Sequence, residues 1–160
     1  MKKIYTLLAL TISFGMNAQV STVATTASGY SSTAIGNSTI ASGARSTAMG
    51  NSTTASEYSS TAMGDGTIAS GNHSTAMGSQ TTASEYNSFV IGRYNLLGST
   101  VTNSATEFNA SSPAFVIGNG YTNAPFVDDG RSDALTVLFD GTTTIAGDLS
   151  INSDARLKAN

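Results

Sequence analysis

Apolar residues are arranged along this chain in two ways. Lys2 and Lys3 precede an apolar run from Ile4 to Met16, and Asn17-Ala18-Gln19 follows with a small residue at a cleavage position. That order reads as a secretory signal peptide over residues 1–18, cut after Ala18. The run falls short of the roughly 20 apolar residues that a membrane-spanning helix needs. No second such run follows, so the mature chain is expected to carry no transmembrane anchor of its own. Its expected destination is outside the cell or on the cell surface.

Beyond the leader the pattern is periodic. Alanine stands at every seventh position, at Ala27, Ala34, Ala41, Ala48, Ala55, Ala62, Ala69, Ala76 and Ala83, and Val90 closes the series. Two residues before each comes a hydroxyl, alternately Thr and Ser, from Thr25 and Ser32 to Thr81 and Ser88. Two residues after each comes Gly, except at Glu57 and Glu85. The residue directly after the alanine separates the halves: Ile35, Met49, Met63, Met77 and Ile91 in one, and Ser28, Ser42, Ser56, Ser70 and Ser84 in the other. The true unit is therefore fourteen residues long.

A seven-residue period first suggests a coiled coil, but that fold needs two large apolar positions per heptad and tolerates few glycines. A β-solenoid accommodates both observations. Each seven-residue half is expected to give a strand of about five residues and a two-residue corner at dipeptides such as Gly-Asn, Gly-Asp or Glu-Tyr. Strand alternation places Ser32, Ala34 and Gly36 on one side and Thr33 and Ile35 on the other. Only small residues occupy the first side, as the interior of a narrow coil requires. The second side faces out and stacks Ile35, Met49, Met63, Met77 and Ile91 into an apolar stripe, the kind of surface that marks an interface. Five turns at the strand spacing give a rod of roughly 24 Å.

Composition narrows the chemistry. Ser, Thr, Ala and Gly make up more than half of the 160 residues, so an ordinary large-residue core is not expected. With no Cys, no Trp, one His and 17 charged side chains, disulfides, thiolate zinc sites and thiol nucleophiles are excluded. Loss of Lys2 and Lys3 with the leader takes the formal charge from −3 to 5 − 10 = −5, which disfavours a nucleic-acid partner. An apolar fraction of 39% argues equally against disorder.

Ser32-Thr-Ala-Ile-Gly36, Ser46-Thr-Ala-Met-Gly50, Ser60-Thr-Ala-Met-Gly64, Ser74-Thr-Ala-Met-Gly78 and Ser88-Phe-Val-Ile-Gly92 resemble the head repeats of trimeric autotransporter adhesins of the YadA-like type. The resemblance covers residues 23–92 and implies a left-handed parallel β-roll assembled as a homotrimer. Neither the coiled-coil stalk nor the membrane β-barrel of that family is recognisable here.

After Gly92 the register breaks. Phe115-Val-Ile-Gly118 echoes Phe89-Val-Ile-Gly92 at a separation of 26 residues instead of 28, which reads as a displaced final coil or a cap. Ala134–Phe139, Asp140-Gly141 and Thr142–Ala146 read as a hairpin, with a further short strand at Leu149–Ile151. Residues 93–152 thus form an expected irregular cap and β-rich neck. Ser153-Asp154-Ala-Arg-Leu-Lys158 resembles the opening of the intramolecular chaperone domains that end tail-fibre and tail-spike proteins. That resemblance implies assistance to trimerisation and an autocleavage junction between Ser153 and Asp154. About eight residues of such a domain, 153–160, are present.

The remaining polar residues give little to an enzyme. His73 shares its corner place with Arg45 and Asn87 and is expected to be exposed. Glu57 and Glu85 stand two turns apart, too far for a glycosidase pair, and are expected to be solubilising. Tyr30, Tyr58 and Tyr86 recur every 28 residues on the outside. Asp128-Asp129 lacks the spaced oxygen ligands of a calcium loop. Two threonine ladders, Thr25/39/53/67/81 and Thr33/47/61/75, suggest an ice-binding solenoid as a rival reading, and the chaperone-like end suggests a tail-spike fragment. The reading carried forward is an all-β structural or adhesive module, not an enzyme and without cofactor. Its expected partners are two further copies of itself and a host, matrix or other cell-surface ligand.

Overall fold

The computed structural model describes residues 22–97, 104–121 and 130–147. The leader, the strand expected at Leu149–Ile151, Asp128-Asp129 and the Ser153-Asp154 junction lie outside the described residues. Every described element is a strand.

The chain winds as a parallel β-solenoid of about five fourteen-residue turns. One sheet contains β2 (Thr33–Asn37), β4 (Thr47–Asn51), β6 (Thr61–Asp65), β8 (Thr75–Ser79) and β10 (Phe89–Arg93). The other contains β1 (Thr26–Ala27), β3 (Ile40–Ala41), β5 (Thr54–Ala55), β7 (Ile68–Ala69) and β9 (Thr82–Ala83). Register is a shift of fourteen residues throughout, Ala34 beside Ala48 beside Ala62 beside Ala76 beside Val90. The two halves are not alike, however: five-residue strands face two-residue strands, where equal strands of five were expected.

The corners account for this inequality. Ala24, Ser31, Ser38, Arg45, Ser52, Ser59, Gly66, His73, Gln80, Asn87 and Tyr94, seven apart, all lie in the left-handed region with φ between 43° and 61°. They are the true corners, one or two residues beyond the dipeptides that composition suggests. Where the short strands return to the long ones the turn is wide, and serine closes it. Ser32, Ser60 and Ser88 donate Oγ–H to the carbonyls of Gly29, Glu57 and Glu85 at 2.8, 2.7 and 2.8 Å. The wide turn consumes residues that would otherwise extend the short strand.

Gly36, Gly50, Gly64, Gly78 and Gly92 have φ between 100° and 132°. A Cβ on any of the first four would run into the carbonyl of the glycine one coil on. The column Gly29, Gly43, Glu57, Gly71 and Glu85 has no positive φ, which is why glutamate appears only there.

The interior is built from small side chains, as the alternation predicts. Ala41, Ala48, Ala55, Ala62, Ala69 and Ala76 are fully buried, with Val90 and Val116 closing the far end. Thr39, Thr53, Thr67 and Thr81, together with Ser46, Ser60 and Ser74, fill the rest. Each buried methyl contributes only about 0.8 kcal/mol, so cohesion comes from repetition and the hydrogen-bonded ladders between coils.

The echo at residues 115–118 is a sixth long strand. β11 (Pro113–Asn119) pairs parallel with β10, Phe89 beside Phe115 and Ile91 beside Ile117. β12 (Asp133–Leu138) and β13 (Thr143–Ile145) then add antiparallel, forming the expected hairpin and bringing the sheet to eight strands.

Candidate interaction surface

The outer face of the eight-stranded sheet carries two columns. Register aligns Ile35, Met49, Met63, Met77 and Ile91, as the periodicity predicts, and continues the file through Ile117, Leu135 and Ile145. The file thus runs past the repeat, an extension that only the observed pairing of β11 to β13 reveals. Beside it stand Thr33, Thr47, Thr61, Thr75, Phe89, Phe115, Val137 and Thr143. None of these sixteen residues is charged. At seven strand spacings by five residues, the face measures roughly 34 by 16 Å, about 500 Å², of which the Ile/Met file forms the continuous apolar part.

The face of the short sheet is narrower and more polar. Thr26, Ile40, Thr54, Ile68 and Thr82 follow one another along it, with Ile40 and Ile68 each about 40% exposed. Of the two threonine ladders read from the sequence, Thr25/39/53/67/81 is shielded from solvent at Thr39, Thr53, Thr67 and Thr81 and half-buried at Thr25. The other, Thr33/47/61/75, shares its face with the Ile/Met file. Neither offers the uninterrupted exposed threonine array of an ice-binding surface.

The wide corner bears a file of rings with a guanidinium at one end. Tyr58, His73 and Tyr86 meet edge to face at 5.3 and 5.6 Å between centroids, and Arg45 lies over the Tyr58 ring while donating to its hydroxyl. His73 is exposed, as its corner position predicts.

Residues 23–95 match the YadA head domain repeat. The match is made of overlapping segments, 23–39, 27–53, 41–67, 55–79 and 69–95, which together span the five coils and stop just after β10. No curated protein and no solved structure matches the chain.

Past the matched coils, the far end is closed by residues that sequence reading assigned elsewhere or missed. Glu85 is 2% exposed, not solubilising. Its carboxylate accepts the Ser104 amide at 3.0 Å and faces the Ser84 and Ser112 hydroxyls at 3.4 Å. Having no further coil above it, this corner turns its side chain inward to hold the crossing chain. Asn95 acts as a substitute for a sixth short strand. Its Oδ1 accepts the Thr82 amide at 2.8 Å and its Nδ2 donates to the Thr82 carbonyl at 3.0 Å, so the free edge of β9 is paired by a side-chain amide. A lone Asn after a broken repeat carries no signal of that role.

Asp133 anchors the meander, accepting the Leu96 amide at 3.0 Å and the Thr136 hydroxyl at 3.3 Å. Burial raises its carboxyl above the ordinary aspartate range, against the lowering effect of those two bonds. Glu85, Asn95 and Asp133 border a cavity of about 30 Å³, a space on the scale of one or two waters and far below a substrate pocket. Among the described residues no three His, Cys, Asp or Glu side chains gather to hold a metal, and no helix is long and apolar enough to cross a membrane.

Proposed function

We propose that this protein is a secreted or surface-displayed adhesive module, the head of a fibre in which three copies pack their eight-stranded sheets around a common axis. Carrying this reading is the coincidence of the YadA-head match with an uncharged apolar file on one outer face of the same coils. Burying that file against like files removes thioether and branched aliphatic surface from water without desolvating any charge. Ile35, Met49, Met63, Met77 and Ile91 are the interface residues on this reading. Attachment to a host, matrix or other cell surface then falls to the short sheet and the corners, which stay outside. Residues 1–18 direct export, and Ser153 to Lys158 open a chaperone segment that promotes assembly.

The mass of the mature chain in solution, by light scattering after gel filtration, tests assembly. Three times the protomer mass is expected. Replacing Met49, Met63 and Met77 together by Asp should give monomers or aggregates; a trimer that survives the triple change removes the stripe from the interface. Adhesion is tested by coating beads with wild-type protein and counting those retained on cell or matrix layers. Wild-type beads should be retained well above uncoated ones; retention no better than that of uncoated beads removes the adhesive reading.

A further inference from the structure

The two outer columns of the eight-stranded sheet differ in evenness. The Ile/Met file changes little in bulk along its length. Its neighbour is threonine for four strands and then steps up to Phe89 and Phe115 before ending in Val137 and Thr143. The two rings stack at 5.7 Å between centroids with planes 12° apart, and Phe89 stays 38% exposed.

A repeated face has a weakness: it looks the same after a shift of one strand. Over β2, β4, β6 and β8, an opposing surface moved along the stack by one spacing of about 4.8 Å meets the same Thr and Ile/Met pair again. Strand arrays without a distinguishing feature are prone to such slips. The stacked phenyl rings are the first feature along this face that breaks the equivalence, because they stand well above a threonine side chain.

The occupant that suits this face is a second copy of this chain. Whatever lies on it must repeat at the strand spacing over eight strands and bring no charge into the contact, and the chain's own face does both. When two copies lie level, ring pairs meet ring pairs and methionine meets methionine. After a slip of one spacing, one ring of each copy still meets a ring, but the outlying Phe89 presses on Thr75 and the outlying Phe115 on Val137, so the matched step is lost and the sheets are held apart there. We propose that Phe89 and Phe115 set the axial register in which copies of this chain associate. This rests on the reading that they associate through the eight-stranded face.

Because the chain has no Cys, each introduced thiol is unique. A disulfide needs Cα atoms within about 7 Å, whereas strands two rungs apart lie about 10 Å from each other. Two preparations are oxidised with diamide: Met63→Cys alone, and a co-refolded mixture of Met49→Cys and Met77→Cys chains. In the otherwise wild-type protein, Met63→Cys should cross-link efficiently. The mixed 49–77 product should be roughly tenfold rarer, the ratio that a steric misfit at the step imposes on the slipped pairing. With Phe89→Thr and Phe115→Thr added, the 49–77 product should rise to match the 63–63 product. Phe89→Leu with Phe115→Leu, which keeps the bulk, should restore the wild-type ratio. If the threonine variant stays associated and keeps the wild-type ratio, the register proposal is overturned and the association reading stands. If it becomes monomeric, the rings supply affinity instead of register, and the proposal is likewise overturned. A monomeric wild-type mass overturns both.

Discussion

Thr39, Thr53, Thr67 and Thr81 are shielded from solvent, and their hydroxyl oxygens have no hydrogen-bond partner among the described residues. Each hydroxyl has left water without replacement, at a cost of about 1–3 kcal/mol for an unsatisfied buried group. Valine has the same outline with a methyl in place of the hydroxyl, so the packing can be kept while the cost is removed. Thr39 and Thr67 are the best pair to change, because two rungs, about 10 Å, separate them and their effects should add. Thr39→Val with Thr67→Val should stabilise the fold by about 2 kcal/mol, or roughly 8–16 °C in Tm for a unit of this size. Thr67→Ser makes the contrast, since it keeps the hydroxyl, loses the methyl and should cost about 1 kcal/mol. Circular dichroism of the β-sheet signal during urea unfolding gives both numbers. Protein concentration must be held fixed, because association adds to apparent stability. A double valine variant no more stable than wild type would show that the hydroxyls are satisfied inside the coil and that the reasoning fails.

Other residues test other parts of the structure. Asn95→Ala leaves the amide and carbonyl of Thr82 without their partner and should cost about 2 kcal/mol, read by the same unfolding curves and by faster hydrogen exchange at the Thr82 amide. Gly50→Ala drives a methyl into the Gly64 carbonyl at a φ of 123° and should cost roughly 3 kcal/mol or more. Gly66→Ala sits at a φ of 61° beside only the flexible Gln80 side chain and should cost about 1 kcal/mol. Asp133 has a raised folded-state pKa, so its protonated form favours folding. The stability it contributes is complete below the unfolded value near 3.8 and is lost as pH rises through the raised folded value. Asp133→Asn should therefore flatten the fall in stability just above that pH, measured by thermal melts from pH 3 to pH 7.

How much of the molecule was legible depended on repetition. Ala, Ser and Gly at seven-residue intervals specify a coil, because a single wrong residue could be accident but ten coherent positions cannot. The same count placed Ile35 through Ile91 in one outward file and predicted that His73 would stand exposed at a corner. Corner geometry was less legible. Serine, arginine, histidine and asparagine all adopt the left-handed conformation here, and none carries the glycine signature that usually marks it. Glu85 was misread for a related reason: in sequence it matches Glu57, and only its place on the last coil turns it inward.

From the linear pattern alone come the all-β class, the fourteen-residue turn, the small-residue interior and the placing of large apolar groups outside, since each follows from local alternation multiplied by repetition. Tertiary structure was needed wherever the period stops. That β11 joins the long sheet as a sixth rung, that β12 and β13 carry the apolar file on to Ile145, and that Asn95 closes the short sheet all depend on which free strand edge the chain meets after leaving the coil. Backbone groups at such an edge must find partners. A sequence with no further repeats does not reveal which ones it finds.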